Sequence, residues 1–155
     1  MPSEIIRDPL MGVTVPLAEG EVLLATLTAD PGTYWKNHLI LAVIGGVAAG
    51  LVLVWMGNGD PWVGPVAALL AVGVRAAYLR SEAMAAEWRV TDRRLIGPGG
   101  RQIGLAEVAT VRPFFGDVQV VTNGGDKHLI KYQADAAATI AAITDARNGK
   151  RKPRR

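Results

Sequence analysis

The densest polar chemistry in the chain is Thr91-Asp92-Arg93-Arg94, set between Trp88 and Val90 on one side and Leu95 on the other. One hydroxyl, one carboxylate and two guanidiniums within four residues are the makings of an anion pocket, because a guanidinium fork matches the oxygens of phosphate or carboxylate. They are equally the makings of an internal lock. Asp92 can accept from backbone donors in a turn, and the arginines can pair with Glu87 or Glu107 on neighbouring strands. A second candidate anion contact is Arg101, in the glycine-rich turn that follows. A third is the tail, where Arg147, Lys150, Arg151, Lys152, Arg154 and Arg155 put six basic residues in nine. Beside an anionic leaflet each contributes ~1 kcal/mol, fading within a Debye length. Nucleic acid would attract the same charges without sequence specificity. In free water they form a solubilising tail.

Other chemistry is missing. There is no cysteine, so no disulfide framework and no thiolate metal site, and imidazole comes only from His38 and His128. Neither histidine has an evident nucleophile partner. Gly97, Gly99 and Gly100 lack the Lys-Ser/Thr and helix of a phosphate loop. Glu107, Asp117, Asp126 and Asp135 fall on turns and caps without the ladder of a calcium loop. The expectation is a non-enzymatic protein without cofactor or metal, and without nucleic acid as a partner because lipid lies nearer the tail.

The elements that position these residues are arranged around an apolar hairpin. Leu39 to Met56 is eighteen residues without a charge; Gly57 to Asp60 interrupts it; Pro61 to Leu79 is a second apolar run broken only by Arg75. A spanning helix needs ~20 mainly apolar residues, and a small domain cannot bury two helices that are apolar all round. The second run, and opening residues that are not basic, argue against a cleavable signal. Trp55 and Trp62 bracket a turn free of Lys and Arg, whereas Lys36 precedes the first run and Arg80, Arg89, Arg93 and Arg94 follow the second. The positive-inside rule then puts both termini in the cytoplasm. Arg75 reads as an intramembrane charge at a site or as a side chain snorkelling to the headgroups. Gly46 and Gly50 form a GxxxG face, extended by Gly45 and Ala49, with Ala68 and Gly73 as small partners on the second helix. It serves to pack the hairpin on itself or to receive another membrane protein.

Before the hairpin, Pro2, Pro9, Pro16 and Pro31 exclude one continuous helix. Glu21 to Thr28 is apolar, and its periodicity leaves strand and helix open. Thr33 to His38 reads as an approach to the membrane, with Tyr34 and Trp35 either in the headgroup layer or packed on the soluble domain. After the hairpin the period shortens. Trp88 and Val90 alternate with Arg89 and Thr91, Gly97 to Gly100 makes a turn, Phe114-Phe115 precede Gly116-Asp117, and Asn123-Gly124 supplies the positive φ of a tight hairpin. Asp135 to Arg147 is an alanine-rich amphipathic helix, with Asp135 as N-cap, Gly149 as stop, and Ala136, Ile140 and Ile143 on one face. The net charge of +3 conceals −3 over residues 1–37 and +7 over residues 75–155.

A membrane hairpin followed by Glu87-Trp88-Arg89-Val90-Thr91-Asp92-Arg93-Arg94-Leu95-Ile96, a glycine turn and Ile103-Gly104-Leu105-Ala106-Glu107-Val108 resembles the bacterial pleckstrin-homology (PH)-like membrane proteins. The likeness covers residues ~40–147 in order, and the residues that carry it are Trp88, Val90, Thr91, Arg93, Arg94 and Leu95. It implies a seven-stranded, strongly bent β-sandwich or barrel capped by the C-terminal helix. Fewer strands are evident than that pattern needs, and Glu21 to Thr28 is the candidate for a missing one. The expected fold is therefore α+β: an N-terminal cytoplasmic arm (1–38), a transmembrane hairpin (39–80), a PH-like domain (81–147) and a basic tail (148–155). The expected location is the bacterial inner membrane. The expected work is docking on, assembling or stabilising an integral membrane complex or a homo-oligomer, with anionic-lipid headgroup binding as the alternative.

Overall fold

The computed structural model describes residues 6–8 and 12–149, with side chains from residue 15 onward. The basic residues Lys150, Arg151, Lys152, Arg154 and Arg155 lie outside the described residues. The chain is α+β, and its described residues form two compact units, one from those up to residue 30 together with 84–149 and the other from residues 31–83.

The helical unit holds α1 (Pro31–Trp55) and most of α2 (Val63–Ala85). Both helices are long and apolar enough to cross a bilayer, and little of their surface is buried. Pro31 opens α1, since proline's fixed φ suits the first helical turn and its missing N–H is no loss there. The helix therefore begins eight residues before the apolar run, and Thr33 to His38 are helical. Gly57, at φ +71°, ends it in the left-handed conformation that glycine adopts freely.

Small residues interlock the two helices. A Cβ on Gly46 would lie 3.1 Å from Pro65 Cα, and one on Gly64 would lie 2.8 Å from the backbone of Ala49 and Gly50. Gly50 faces Pro65 and Pro61, and Gly45 faces Ala68. The GxxxG face is thus occupied by the hairpin's own second helix. Gly73 takes no part, because nothing lies within 4 Å of the space a side chain would fill there. Tyr34 is not a headgroup aromatic. It is 1% exposed, and its hydroxyl donates to the Ala76 carbonyl on α2 at 2.6 Å. A phenol can be buried when its O–H finds an acceptor, and here that bond ties the helices together. Trp35, Trp55 and Trp62 are exposed, and so is Arg75.

The β unit contains two sheets and a helix. In the first sheet β3 (Leu23–Thr28), β4 (Glu87–Thr91), β5 (Arg94–Ile96) and β6 (Gln102–Gly104) lie in that order, all antiparallel. The second is β7 (Val108–Phe114), β8 (Asp117–Thr122) and β9 (Lys127–Ile130), also antiparallel. A short ribbon of β1 (Ile6–Asp8) and β2 (Gly12–Thr14) precedes them. Residues 21–28, which the apolar pattern left open, are thus mostly strand, and β3 runs beside β4 with Thr28 opposite Glu87 and Leu23 opposite Thr91. The helical hairpin is an insertion between two neighbouring strands.

Alternation fills the core. Trp88, Val90, Leu95, Ile103, Val118, Val120 and Ile130 point inward from the two sheets, and α3 (Ala136–Arg147) lays Ile143 and Ala146 over them. Asp135 caps α3 by accepting from the Ala138 N–H at 2.9 Å. In the β8–β9 loop the positive φ falls on Gly125 (+88°), not on Asn123. The loop is longer than a two-residue turn, and Asn123 instead bonds the backbone of Ala106 and Glu107.

Candidate functional site

Building outward from Thr91 shows what the polar box does. Its hydroxyl accepts from the backbone N–H of Arg94 at 2.9 Å and of Arg93 at 3.2 Å, closing the β4–β5 turn. Its own proton is shared between Glu21 Oε1 at 2.7 Å and the Arg94 carbonyl at 2.8 Å. Asp92 and Val22 exchange two bonds: the Val22 N–H donates to Asp92 Oδ1 and the Asp92 N–H to the Val22 carbonyl. Arg94 grips Glu21 with a fork, Nε to Oε1 at 2.9 Å and Nη2 to Oε2 at 2.7 Å, and also reaches the Pro16 carbonyl and Gln102.

The arginine partner is therefore Glu21, seventy-three residues upstream, and neither Glu87 nor Glu107. The Glu107 carboxylate accepts from the Gly104 N–H, and Glu87 lies 3.9 Å from Arg89 on its own strand. Strand pairing explains the choice. β3 lies beside β4, so its N-terminal approach meets the β4–β5 turn, while Glu87 sits at the opposite end of β4.

Glu21 has a side chain fully out of water. A buried carboxylate is tolerated only when paired and hydrogen-bonded. Here both oxygens are saturated, with Ala18 N–H at 2.7 Å added to the Thr91 and Arg94 donors. Hydrogen bonding from Arg94, opposed by burial and helped by Ala18 and Thr91, lowers its pKa to about 2. A carboxylate so placed has no oxygen free for substrate and is too weak a base to take a proton near neutrality. The same pair raises the pKa of Arg94, mainly through the Glu21 bond. The box is a lock between the segment before the hairpin and the strands after it.

The remaining candidates are dispersed. Trp88, Val90 and Leu95 are core residues, and Gly97 is held against the Trp88 ring so closely that a Cβ would sit 2.7 Å from it. Arg93 is exposed, as is Arg101 in the β5–β6 turn. His128 lies in β9 opposite Val120, and His38 Nδ1 lies 2.8 Å from the Tyr34 carbonyl within α1. No group of three or more His, Cys, Asp or Glu side chains that could hold a metal occurs among the described residues.

Two features were read only in part from the sequence. Glu21 stands just before an apolar strand; only its pairing across seventy residues reveals its role. The other is the β7–β8 turn, expected at Gly116-Asp117 and found at Phe115-Gly116. Phe114 pairs with Asp117, leaving Phe115 and Gly116 as a two-residue turn with φ of +48° and +87°. Phe115 is 92% exposed, and its ring meets that of Phe114 edge-on at 4.8 Å. Asp117 closes the turn and accepts from the Tyr132 N–H at 2.9 Å; burial raises its pKa.

No protein-family model matches the sequence, and no curated protein and no solved structure does so either.

Proposed function

We propose that the chain is a two-pass membrane protein whose β unit is a PH-like domain held at the cytoplasmic face of a bacterial inner membrane, and that it works by docking on, assembling or stabilising a larger membrane protein complex. The observation that carries this is the engagement of Thr91, Asp92 and Arg94 with Glu21 and Val22. The most reactive-looking cluster is absorbed by the fold, and what remains to act is surface. Four strands, then three, then a helix packed against strands of both sheets support the PH-like reading. A turn without Lys or Arg, and arginines following α2, support the orientation.

The small-residue face is already filled by Gly64 and Pro65, so partners are left with the outer faces of the helices and the sheet edges. The edge strand β7 is the longest, and its side chains are mostly exposed. Its ends are guarded: Arg147 bonds the Val108 and Ala109 carbonyls, and Pro113 has no N–H to offer. Thr110 and Arg112 lie between these guards. A photo-crosslinking side chain placed at Thr110, or at the exposed Val43 of α1, should give one discrete protein adduct in native membranes. A second copy of the chain as that adduct would make the complex a homo-oligomer. Lipid adducts alone at both sites would overturn the proposal.

The alternative, binding of anionic headgroups, draws on Arg101 and the basic tail. Arg101 is exposed, and the strand register puts its turn at the same end of the first sheet as Thr28 and Glu87, where the chain enters and leaves the helices. Such binding should weaken steeply with ionic strength, whereas helix packing should not.

A further inference from the structure

We propose that the Phe114-Phe115 turn is a lipid contact, with its exposed ring resting in the interfacial layer of the same membrane that the helices enter. The proposal depends on the reading of α1 and α2 as membrane spans. Its first support is position within the β unit. The Asp30 N–H donates to the Tyr132 carbonyl at 2.7 Å, and the Tyr132 N–H donates to Asp117, which closes the turn. Gln133 also reaches the Thr28 carbonyl. The aromatic turn is therefore tied to the residue immediately before Pro31, at the end of the sheet where Thr28 faces Glu87. From Pro31 to the first apolar residue, Leu39, is eight helical residues, or about 12 Å, and from Leu79 to Ala85 is about 9 Å. Those lengths set only an upper limit on how far this end of the β unit can stand from a bilayer whose apolar layer starts at Leu39 and ends at Leu79.

The second support is the strain. A two-residue hairpin with positive φ at both positions calls for Asn-Gly. Phe115 instead occupies a conformation that disfavours a bulky side chain, and it does so to hold a ring that is 92% exposed. An observed backbone outlier whose ring gains only an edge-on contact with Phe114, and stays 92% exposed, points to a further reward outside the molecule. An aromatic ring gains that reward at a bilayer interface. The third support is the charge around it. Arg101, Arg112 and Lys131 share this end with Asp30, Glu87 and Asp117, three of each sign, while the Arg89 guanidinium turns toward the Val15 carbonyl. Charge does not select the partner, so the rings do, and the contact should depend little on salt or on anionic lipid. That separates it from the headgroup reading through Arg101 and the tail.

The chain has no cysteine, which makes a labelling test direct. Full-length variants Lys131→Cys, Gly124→Cys and Leu51→Cys carry a polar fluorophore and are reconstituted into phosphatidylcholine vesicles doped with a nitroxide headgroup lipid. Lys131 is exposed beside the turn, Gly124 lies in the loop at the other end of β8, and Leu51 is exposed on α1. Quenching at residue 131 should exceed that at residue 124 several-fold and should fall by at least half when Phe115→Asn is added. Phe115→Asn should leave the thermal midpoint equal or higher, so a fall cannot be assigned to unfolding. Equal quenching at 131 and 124, or a signal at 131 indifferent to Phe115→Asn, would overturn the proposal. So would a signal at 131 shielded from both water and lipid, which would mean a protein partner. A chain-matched nitroxide lipid reports on residue 51 independently. If residue 51 is embedded while 131 is not, the spans stand and the aromatic contact fails. If residue 51 is aqueous, the spans themselves fail.

Discussion

The Glu21–Arg94 lock and the Phe114–Asp117 turn sit at opposite ends of one small β unit and treat their side chains in opposite ways. At the lock, charged residues are drawn inward until every carboxylate oxygen is bonded and no strain is visible. At the turn, apolar residues are pushed outward on a backbone that resists them. Polar residues inside and aromatic residues outside are both costly arrangements, and each has a different justification. The lock joins segments separated by the whole hairpin, so that inserting fifty-eight residues between β3 and β4 leaves the sheet intact. The turn has no such internal purpose. The box that looked like a site is structure, and the turn that looked like a connection is the better surface.

The sharpest way to break this comparison is to remove one half of the lock. Arg94→Ala leaves Glu21 buried without its partner and should destabilise the β unit by about 3–5 kcal/mol. Arg94→Lys should recover only part of that, because an ammonium cannot make the two-pronged bond. Replacing both partners, Glu21→Leu with Arg94→Met, should come closer to the parent than either single change. Urea unfolding of the full chain in detergent, followed by near-ultraviolet circular dichroism, reads all of these. A parent-like transition for Arg94→Ala would mean that the lock holds nothing.

Acid tests the same pair without mutation. Glu21 has a folded pKa of about 2 against an ordinary value of 4.5. Its contribution is therefore complete above about pH 4.5 and is lost as pH falls through 2. By linkage that difference is roughly 3 kcal/mol. Asp117 runs the other way: its raised pKa means that protonation favours the fold, so its contribution is present in acid and is lost as pH rises through the folded value. Glu21→Gln should flatten the loss of stability below pH 4.5, and Asp117→Asn should steepen it. Midpoints of urea unfolding between pH 2 and 7 check both signs.

How much of this could be read beforehand follows from the range of each interaction. The hairpin was legible because its apolar character runs through nearly every residue of two long segments, so composition alone marks it. The core positions Trp88, Val90, Leu95 and Ile143 were legible because period and burial are local. Asp135 as a helix cap was legible for the same reason, since its bond spans three residues. Glu21 was not, because its partner is decided by which strand lies beside β4, and that strand is on the far side of the hairpin. Tyr34 was misplaced for a related reason. Its ring suits a headgroup layer, but the Ala76 carbonyl that captures its hydroxyl appears only once the helices are paired. The GxxxG face left two readings open, and the pairing favours one, since Pro65 and Gly64 already occupy the gap.

Between the lock and the turn lies Gly97, which tests packing without charge. A methyl group there would enter the Trp88 ring at 2.7 Å, so Gly97→Ala should cost about 1–3 kcal/mol. Trp88→Leu is itself destabilising, but it removes the obstacle. In the double variant the two losses should fall well short of additive. Simple additivity would show that the ring moves aside freely. Thermal midpoints of the four chains in one detergent decide it.

The smallest effect has the opposite sign and bears most directly on the comparison. Phe115→Asn installs Asn-Gly in a two-residue hairpin whose backbone already has positive φ at both positions. The relief of a bulky residue in the left-handed region is worth about 1–2 kcal/mol. Against it stands the edge-on contact with Phe114, worth about 0.5–1.5 kcal/mol when fully formed and less for a ring this exposed. The balance favours asparagine by a few tenths to about 1 kcal/mol. A stabilised β unit would mean that the phenylalanine is kept against the interest of the fold, as a surface meant to meet something else. A destabilised one would mean that Phe115 is held by the protein itself, and the contrast between the two ends of the β unit would dissolve.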